Sequence, residues 1–197
     1  MKYQPPRGSS RRAAIAAALL ALVFSAAAPA AAGMGKGDGE IGFDFGVTDL
    51  DIDYAYRNDG AAGLTFRGGY FLTDMLEIEG QLGAYASTNL VWSDVTLRTL
   101  MVDVVFNFRP DTSVMPYALV GAGVANVDYD QWFDLLPGPG IDDSSAALQV
   151  GGGSRFFFGK AKKVAVRVDL AFLIEETFDN SSTHARFTAG FTWRLGR

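Results

Sequence analysis

Arg186-Phe187-Thr188-Ala189-Gly190-Phe191-Thr192-Trp193-Arg194-Leu195 stands two residues from the end of the chain. Its apolar members Phe187, Phe191, Trp193 and Leu195 fall on one parity, and Arg186, Thr188, Thr192 and Arg194 fall on the other. A period of two is that of a β-strand with unlike faces. A strand of a water-soluble sheet sets its polar face outward. Here the same pattern recurs upstream with so much charge on the polar parity that the charges need one another.

Seven earlier runs repeat it. Ile41, Phe43, Phe45 and Val47 oppose Glu40 and Asp44. Leu64, Phe66, Tyr70 and Leu72 oppose Thr65 and Arg67. Leu76, Ile78, Leu82 and Ala84 oppose Glu77, Glu79 and Gln81. The fourth run sets Leu100, Val102, Val104, Phe106 and Phe108 against Thr99, Asp103 and Asn107. The fifth, Met115 to Val127, is rich in Gly and Ala, and both facings stay open. The sixth sets Leu148, Val150, Phe156 and Phe158 against Gln149 and Arg155. The seventh sets Val164, Val166, Val168, Leu170, Phe172 and Ile174 against Arg167, Asp169 and Glu175.

Short turns are expected near Thr73, Asp111 and Lys162, and long loops near Asp51, Asn89, Gly138 and Asn180. That alternation is the pattern of barrels with short periplasmic turns and longer outer loops. An even strand number returns both termini to the periplasm. Tyr70, Phe108, Tyr117, Phe158 and Trp193 lie near the short turns. Tyr54, Tyr56, Tyr85, Trp92, Tyr129, Trp132 and Phe178 lie near the loops. Read together they are two aromatic belts at two depths.

The N-terminus sets the compartment. Arg7, Arg11 and Arg12 precede an apolar run from Ala13 to Ala28, and Ala30-Ala31-Ala32 follows. This is the layout of a cleaved secretory signal, with processing after Ala32 or Ala30. The run is too short for a spanning helix of roughly 20 residues. Arg11-Arg12 lacks the flanks of a twin-arginine signal, so the general secretory route is expected. The expected division is 1–32 signal peptide and 33–197 barrel domain. Removing the signal takes away Lys2, Arg7, Arg11 and Arg12 and moves the formal charge from −5 to −9. Such acidity disfavours nucleic acid as a partner. The absence of cysteine excludes disulfides and thiolate metal sites.

The fold expected is all-β: an eight-stranded antiparallel up-and-down transmembrane barrel. Its apolar faces meet lipid, and its polar faces meet in the lumen. Arg67, Arg155, Arg167, Arg186 and Arg194 then pair there with Glu40, Asp44, Glu77, Glu79, Asp103, Asp169 and Glu175, because a lone buried charge costs several kcal/mol.

The chain resembles the small eight-stranded outer-membrane barrels, the OmpA/OmpX-like family, from about Glu40 to Leu195. Pro116-Tyr117-Ala118-Leu119-Val120-Gly121-Ala122-Gly123-Val124 looks like that family's fifth-strand segment, and Gly151-Gly152-Gly153-Ser154-Arg155-Phe156-Phe157 like its next strand. Thr188, Gly190, Trp193 and Leu195 fill the places of its C-terminal assembly signal. Gly196-Arg197 departs from the aromatic ending common in such chains. The resemblance implies a monomer in the outer membrane, lipid outside, and insertion machinery reading the last strand. It leaves the ligand of the surface loops unspecified.

A fold of this kind does not fix a function. The expected role is non-enzymatic, structural or interactive, with a side-chain-filled lumen. Alternatives are a lipid A-modifying enzyme and a narrow channel. The enzyme would need a base beside a serine. His184, the lone histidine, has Ser181 and Ser182 nearby, but reads as a rim residue starting the last strand. Asp128, Asp130, Asp134, Asp142 and Asp143 lack calcium-loop spacing and read as solvated charge. No catalytic residue, metal or cofactor is expected.

Overall fold

A computed structural model describes residues 34–52, 57–89, 93–108, 112–131, 143–159, 161–177 and 180–196. Eight strands run in chain order: β1 (Gly39–Ile52), β2 (Arg57–Phe71), β3 (Leu76–Asn89), β4 (Ser93–Asn107), β5 (Val114–Gln131), β6 (Asp143–Phe158), β7 (Val164–Thr177) and β8 (Asn180–Leu195). Each pairs antiparallel with its sequence neighbours, and β8 pairs back on β1 from Gly39↔Leu195 to Thr48↔Arg186, closing the barrel. The signal segment lies outside the described residues.

The strands are inside out. Phe45 is 62% exposed and Val120 58%, whereas Arg67 is 2% exposed and Glu79 fully covered. Only a wall that meets lipid leaves its large apolar side chains outward and its charges within. Every facing assigned above is the one found. β5, open on sequence, turns Ala118, Val120, Ala122 and Val124 outward and Met115, Tyr117, Leu119 and Ala125 inward.

Two expectations need correction. Asp51, Asn89 and Asn180 are not in long loops but in strands. The strands have 14 to 18 residues, beyond the roughly 9–11 that cross a bilayer. Paired backbone carries on past the apolar belt, because a ladder needs hydrogen bonds and not apolar side chains. The Gly138 loop, at 132–142, lies outside the described residues. Tyr85 and Tyr117 leave the aromatic belts: both point into the lumen, 1% and 0% exposed. For Tyr85 the parity decides this, since it shares a face with Glu77, Glu79 and Gln81; β5 is apolar on both parities, and there the large outward Val120 and Val124 leave Tyr117 on the lumen side. Tyr70, Phe108, Phe158 and Trp193 are exposed on the wall near the end that holds both termini. Tyr54, Tyr56, Trp92, Trp132 and Phe178 lie outside the described residues.

The lumen is layered. At the terminal end Met34 packs with Phe71, Met115, Phe157 and Ala165. At the loop end Ala61, Tyr85, Leu97, Met101, Ala125, Ala147 and Leu173 form a second apolar cluster. The charges lie between them.

Candidate functional site: the charged lumen

Three guanidiniums organise the middle layer. Arg67, on β2, binds Asp44 on β1 through Nε, and its Nη2 lies 2.7 Å from Asp169 Oδ2 on β7. It also donates to Thr188 Oγ1 at 3.0 Å. Arg155, on β6, donates through Nη2 to Glu40 at 2.7 Å and Glu77 at 2.8 Å, and through Nη1 to Asn107 Oδ1 at 2.6 Å. Arg167, on β7, binds Glu79 and donates to Glu40 at 3.2 Å and to Tyr117 Oη at 2.6 Å. Tyr117 also holds both cations by its ring: the guanidinium carbons of Arg155 and Arg167 each lie 4.6 Å from its centroid. A desolvated cation–π contact of this kind is worth about 2 kcal/mol. Apart from Arg67–Asp44 between neighbouring β1 and β2, these ion pairs cross between strands far apart in sequence, so the layer ties β1, β2, β3, β6 and β7 across the barrel.

Arg186 and Asp103 join this layer by a different chemistry. Arg186 donates to Gln81 Oε1 at 3.1 Å and to Gln149 Oε1, while the amide nitrogens of Gln81 and Gln149 donate to Asp103 at 2.6 and 3.2 Å. Two glutamines thus stand between cation and anion, each accepting on one side and donating on the other. The sequence reading placed both on the polar parity without giving them this role.

The remaining residues of the expected network sit elsewhere. Arg194 lies at the terminal rim, 2.6 Å from Asp38. Glu175 lies towards the loop end, 3.6 Å from His184 Nε2 and 3.5 Å from Ser145 Oγ. His184, expected at the rim at the start of the last strand, is the fifth residue of β8, on its lumen face and 4% exposed. Glu40, Glu77 and Glu79 bring carboxylate oxygens within 4.8 Å of one another. Arg155 and Arg167 already bind this trio.

Glycines make room for the inward tyrosines. A Cβ at Gly63 would lie 2.7 Å from Tyr85 Cδ1, and one at Gly83 3.1 Å from Cε2. The Tyr85 ring therefore lies against bare backbone, and its hydroxyl shares a hydrogen bond of 2.6 Å with Thr65 Oγ1.

A closed barrel of eight strands with lipid outside and paired charge inside narrows the comparison to one kind of protein, and residues 16–194 match the outer membrane protein beta-barrel domain. The chain belongs to that family. It is an integral protein of the Gram-negative outer membrane. Among solved structures, Neisserial surface protein A, NspA, superposes with a TM-score of 0.67 at 14% identity, covering 81% of this chain and all of that one. Ail, the attachment invasion locus protein of Yersinia pestis, gives 0.56 at 16% identity over 81% and 99%. OprG, an outer membrane protein of Pseudomonas aeruginosa, gives 0.54 at 14% over 84% and 99%. At these identities the likeness is one of fold. No curated protein sequence matches the chain. Among the described residues Met34 and Arg194 lie at one mouth of this outer-membrane barrel and His184 towards the other.

Proposed function

We propose that the protein is a non-enzymatic, non-conducting barrel that holds its outer hairpins at the cell surface for structural or adhesive contact. The observation that supports this is the filled lumen: Arg67, Arg155 and Arg167 are fully buried and tied to strands across the barrel. With eight strands the interior is only wide enough for such side chains. A path for ions would have to break several charge-assisted hydrogen bonds at once.

Geometry at His184 favours the same reading over lipid A chemistry. Glu175 stands between Ser145 and His184, whereas acyl transfer sets the imidazole between hydroxyl and carboxylate. His184 also faces the lumen, away from the lipid whose acyl chains such an enzyme would cleave.

On this reading the segment 1–32 is removed on export, residues 33–197 insert as a monomer, and the last strand, with Thr188, Gly190, Trp193 and Leu195, is read by the insertion machinery. Arg67, Arg155, Arg167 and their carboxylates serve as the scaffold's internal brace. Planar-bilayer recording tests the proposal beside mass analysis of lipid A from cells expressing the protein. Flat current traces and unchanged acylation are expected. Stepwise channel openings, or acyl loss that disappears in His184→Ala, would overturn it.

A further inference from the structure

Ahead of β1 the chain turns back into the mouth of the barrel at which Arg194 lies. Gly35, Lys36, Gly37 and Asp38 form a tight turn, closed by Asp38 N donating to Gly35 O at 3.0 Å. Gly37 has φ 88°, a conformation that favours glycine. The turn is pinned to the wall where β2 passes into β3. Gly37 N donates to Phe71 O at 2.9 Å, Phe71 N to Asp38 O at 2.9 Å, and Lys36 N to Asp74 Oδ1 at 2.9 Å. Reversed in this way, the chain sends Met34 inward, where it is 2% exposed. Its cluster draws Phe71 from the end of β2, Met115 from β5, Phe157 from β6 and Ala165 from β7. With eight strands closed in chain order, β5 stands across from β1. One flexible thioether therefore spans the opening, as methionine suits an irregular gap. The charged layer comes next: the Arg155 guanidinium carbon lies 5.9 Å from the centre of the Phe71 ring.

We propose that residues 34–38 are a plug set after the barrel closes, with Met34 as its stopper and the Asp38–Arg194 pair as its clasp. Arg194 Nη2 lies 2.6 Å from Asp38 Oδ2. The same oxygen accepts from Gly35 N at 2.8 Å, so the clasp is joined to the turn that aims the stopper. Arg194 is next to the last residue of β8 and stands opposite Glu40 in the β1–β8 ladder. It reaches Asp38 only once that ladder has formed, and the clasp cannot precede closure. What the plug protects is the layer beyond it. Charge-assisted hydrogen bonds such as those of Arg155 to Glu40 and Glu77 are strong while water is kept out and weaken as the local dielectric rises.

The chain has no cysteine, so single thiols report access from water. Ala165→Cys places one in the cluster with Met34, and Ala147→Cys places one in the apolar cluster at the other end of the lumen. Both are exposed to a charged maleimide in lipid nanodiscs, with heat-modifiable migration as the check that the barrel has folded. Labelling is slow at both positions in the otherwise unchanged protein. Met34→Gly keeps the backbone bonds of the turn and should speed labelling at position 165 about tenfold or more, as a local opening does, while position 147 stays slow. Arg194→Met should speed labelling at 165 as well, and Arg194→Lys, which keeps the cation, should not. A folded Met34→Gly that labels at 165 as slowly as its parent, or that speeds 165 and 147 alike, would overturn the plug. A folded Arg194→Met with unchanged labelling at 165 would overturn the clasp.

Discussion

Removing one cation from the lumen should cost more than removing one anion, and Arg155 is the place to measure it. The middle layer holds six carboxylates, Glu40, Asp44, Glu77, Glu79, Asp103 and Asp169, and four guanidiniums, Arg67, Arg155, Arg167 and Arg186, all buried. Arg155→Met fills similar volume but leaves Glu40 and Glu77 without a cation that lay within 2.8 Å of both. Breaking a buried pair in this way costs about 3–5 kcal/mol. The guanidinium on the Tyr117 face, at 4.6 Å, adds about 1–2 kcal/mol. Glu77→Gln instead removes a charge of the sign in excess and keeps an oxygen for Arg155 and Asn107, so its cost should stay below about 2 kcal/mol. The double variant Arg155→Met, Glu77→Gln should recover at least about 1 kcal/mol of the single loss, because one stranded carboxylate is gone. Urea unfolding in lipid vesicles, followed by tryptophan emission, gives all three numbers. If Glu77→Gln proves as damaging as Arg155→Met, or the double variant is worse than the sum, then charge balance is not what organises the layer.

Further outcomes test the wall, the packing and the assembly. Val120, exposed on the outer face at 58%, should tolerate Leu but lose about 2–4 kcal/mol as Val120→Arg if it lies near the bilayer midplane; vesicle unfolding of the two variants decides. Gly63→Ala drives a methyl to within 2.1 Å of Ala84 O and 2.6 Å of Tyr85 Cα, both backbone, and should cost at least about 1–3 kcal/mol, a loss that Tyr85→Leu does not relieve when both are measured by the same unfolding. Trp193→Asp puts a charge on an exposed lipid-facing position of the closing strand and should slow protease protection during insertion; deleting Gly196 and Arg197, beyond the last β1–β8 pair at Leu195, should not. The reverse order would mean that the last two residues carry the assembly information.

Parity carried most of the fold into view before any coordinates. A strand that must meet lipid on one face and other charges on the opposite face has no freedom of register, because a slip of one residue exchanges every side chain. That is why Glu77-Ile78-Glu79 or Arg167-Val168-Asp169 could be assigned without neighbours. Where the strand ends lie was less visible. Asp51, Asn89 and Asn180 carry turn-forming side chains, yet each continues a ladder. In water beyond the apolar belt, backbone pairing extends regardless of side-chain polarity, and composition has no mark for it.

The lumen shows the sharper boundary of what a sequence reveals. Which charges face inward is a property of single strands, and each strand displays it. Which inward charge meets which depends on how far the strands are staggered around the barrel, and no strand displays that. Thus Arg186 and Arg155 look alike in the sequence. One reaches Glu40 and Glu77 directly, while the other reaches Gln81 and Gln149 and through them Asp103. Tyr117 illustrates the same limit from the other side. Ala118, Val120, Ala122 and Val124 on one parity and Met115, Leu119, Ala125 and Val127 on the other are all apolar, so nothing in β5 itself told that Tyr117 faces inward. Its use was not legible either: a phenol that accepts from Arg167 at 2.6 Å and lies under two guanidiniums lets cations of like sign sit near one another in a buried interior. The glycine at 153, whose missing Cβ would have met the Tyr117 hydroxyl at 2.6 Å, belongs to the same device. A small residue on one strand and a large one on the next become a functional pair only when closure brings them to the same height.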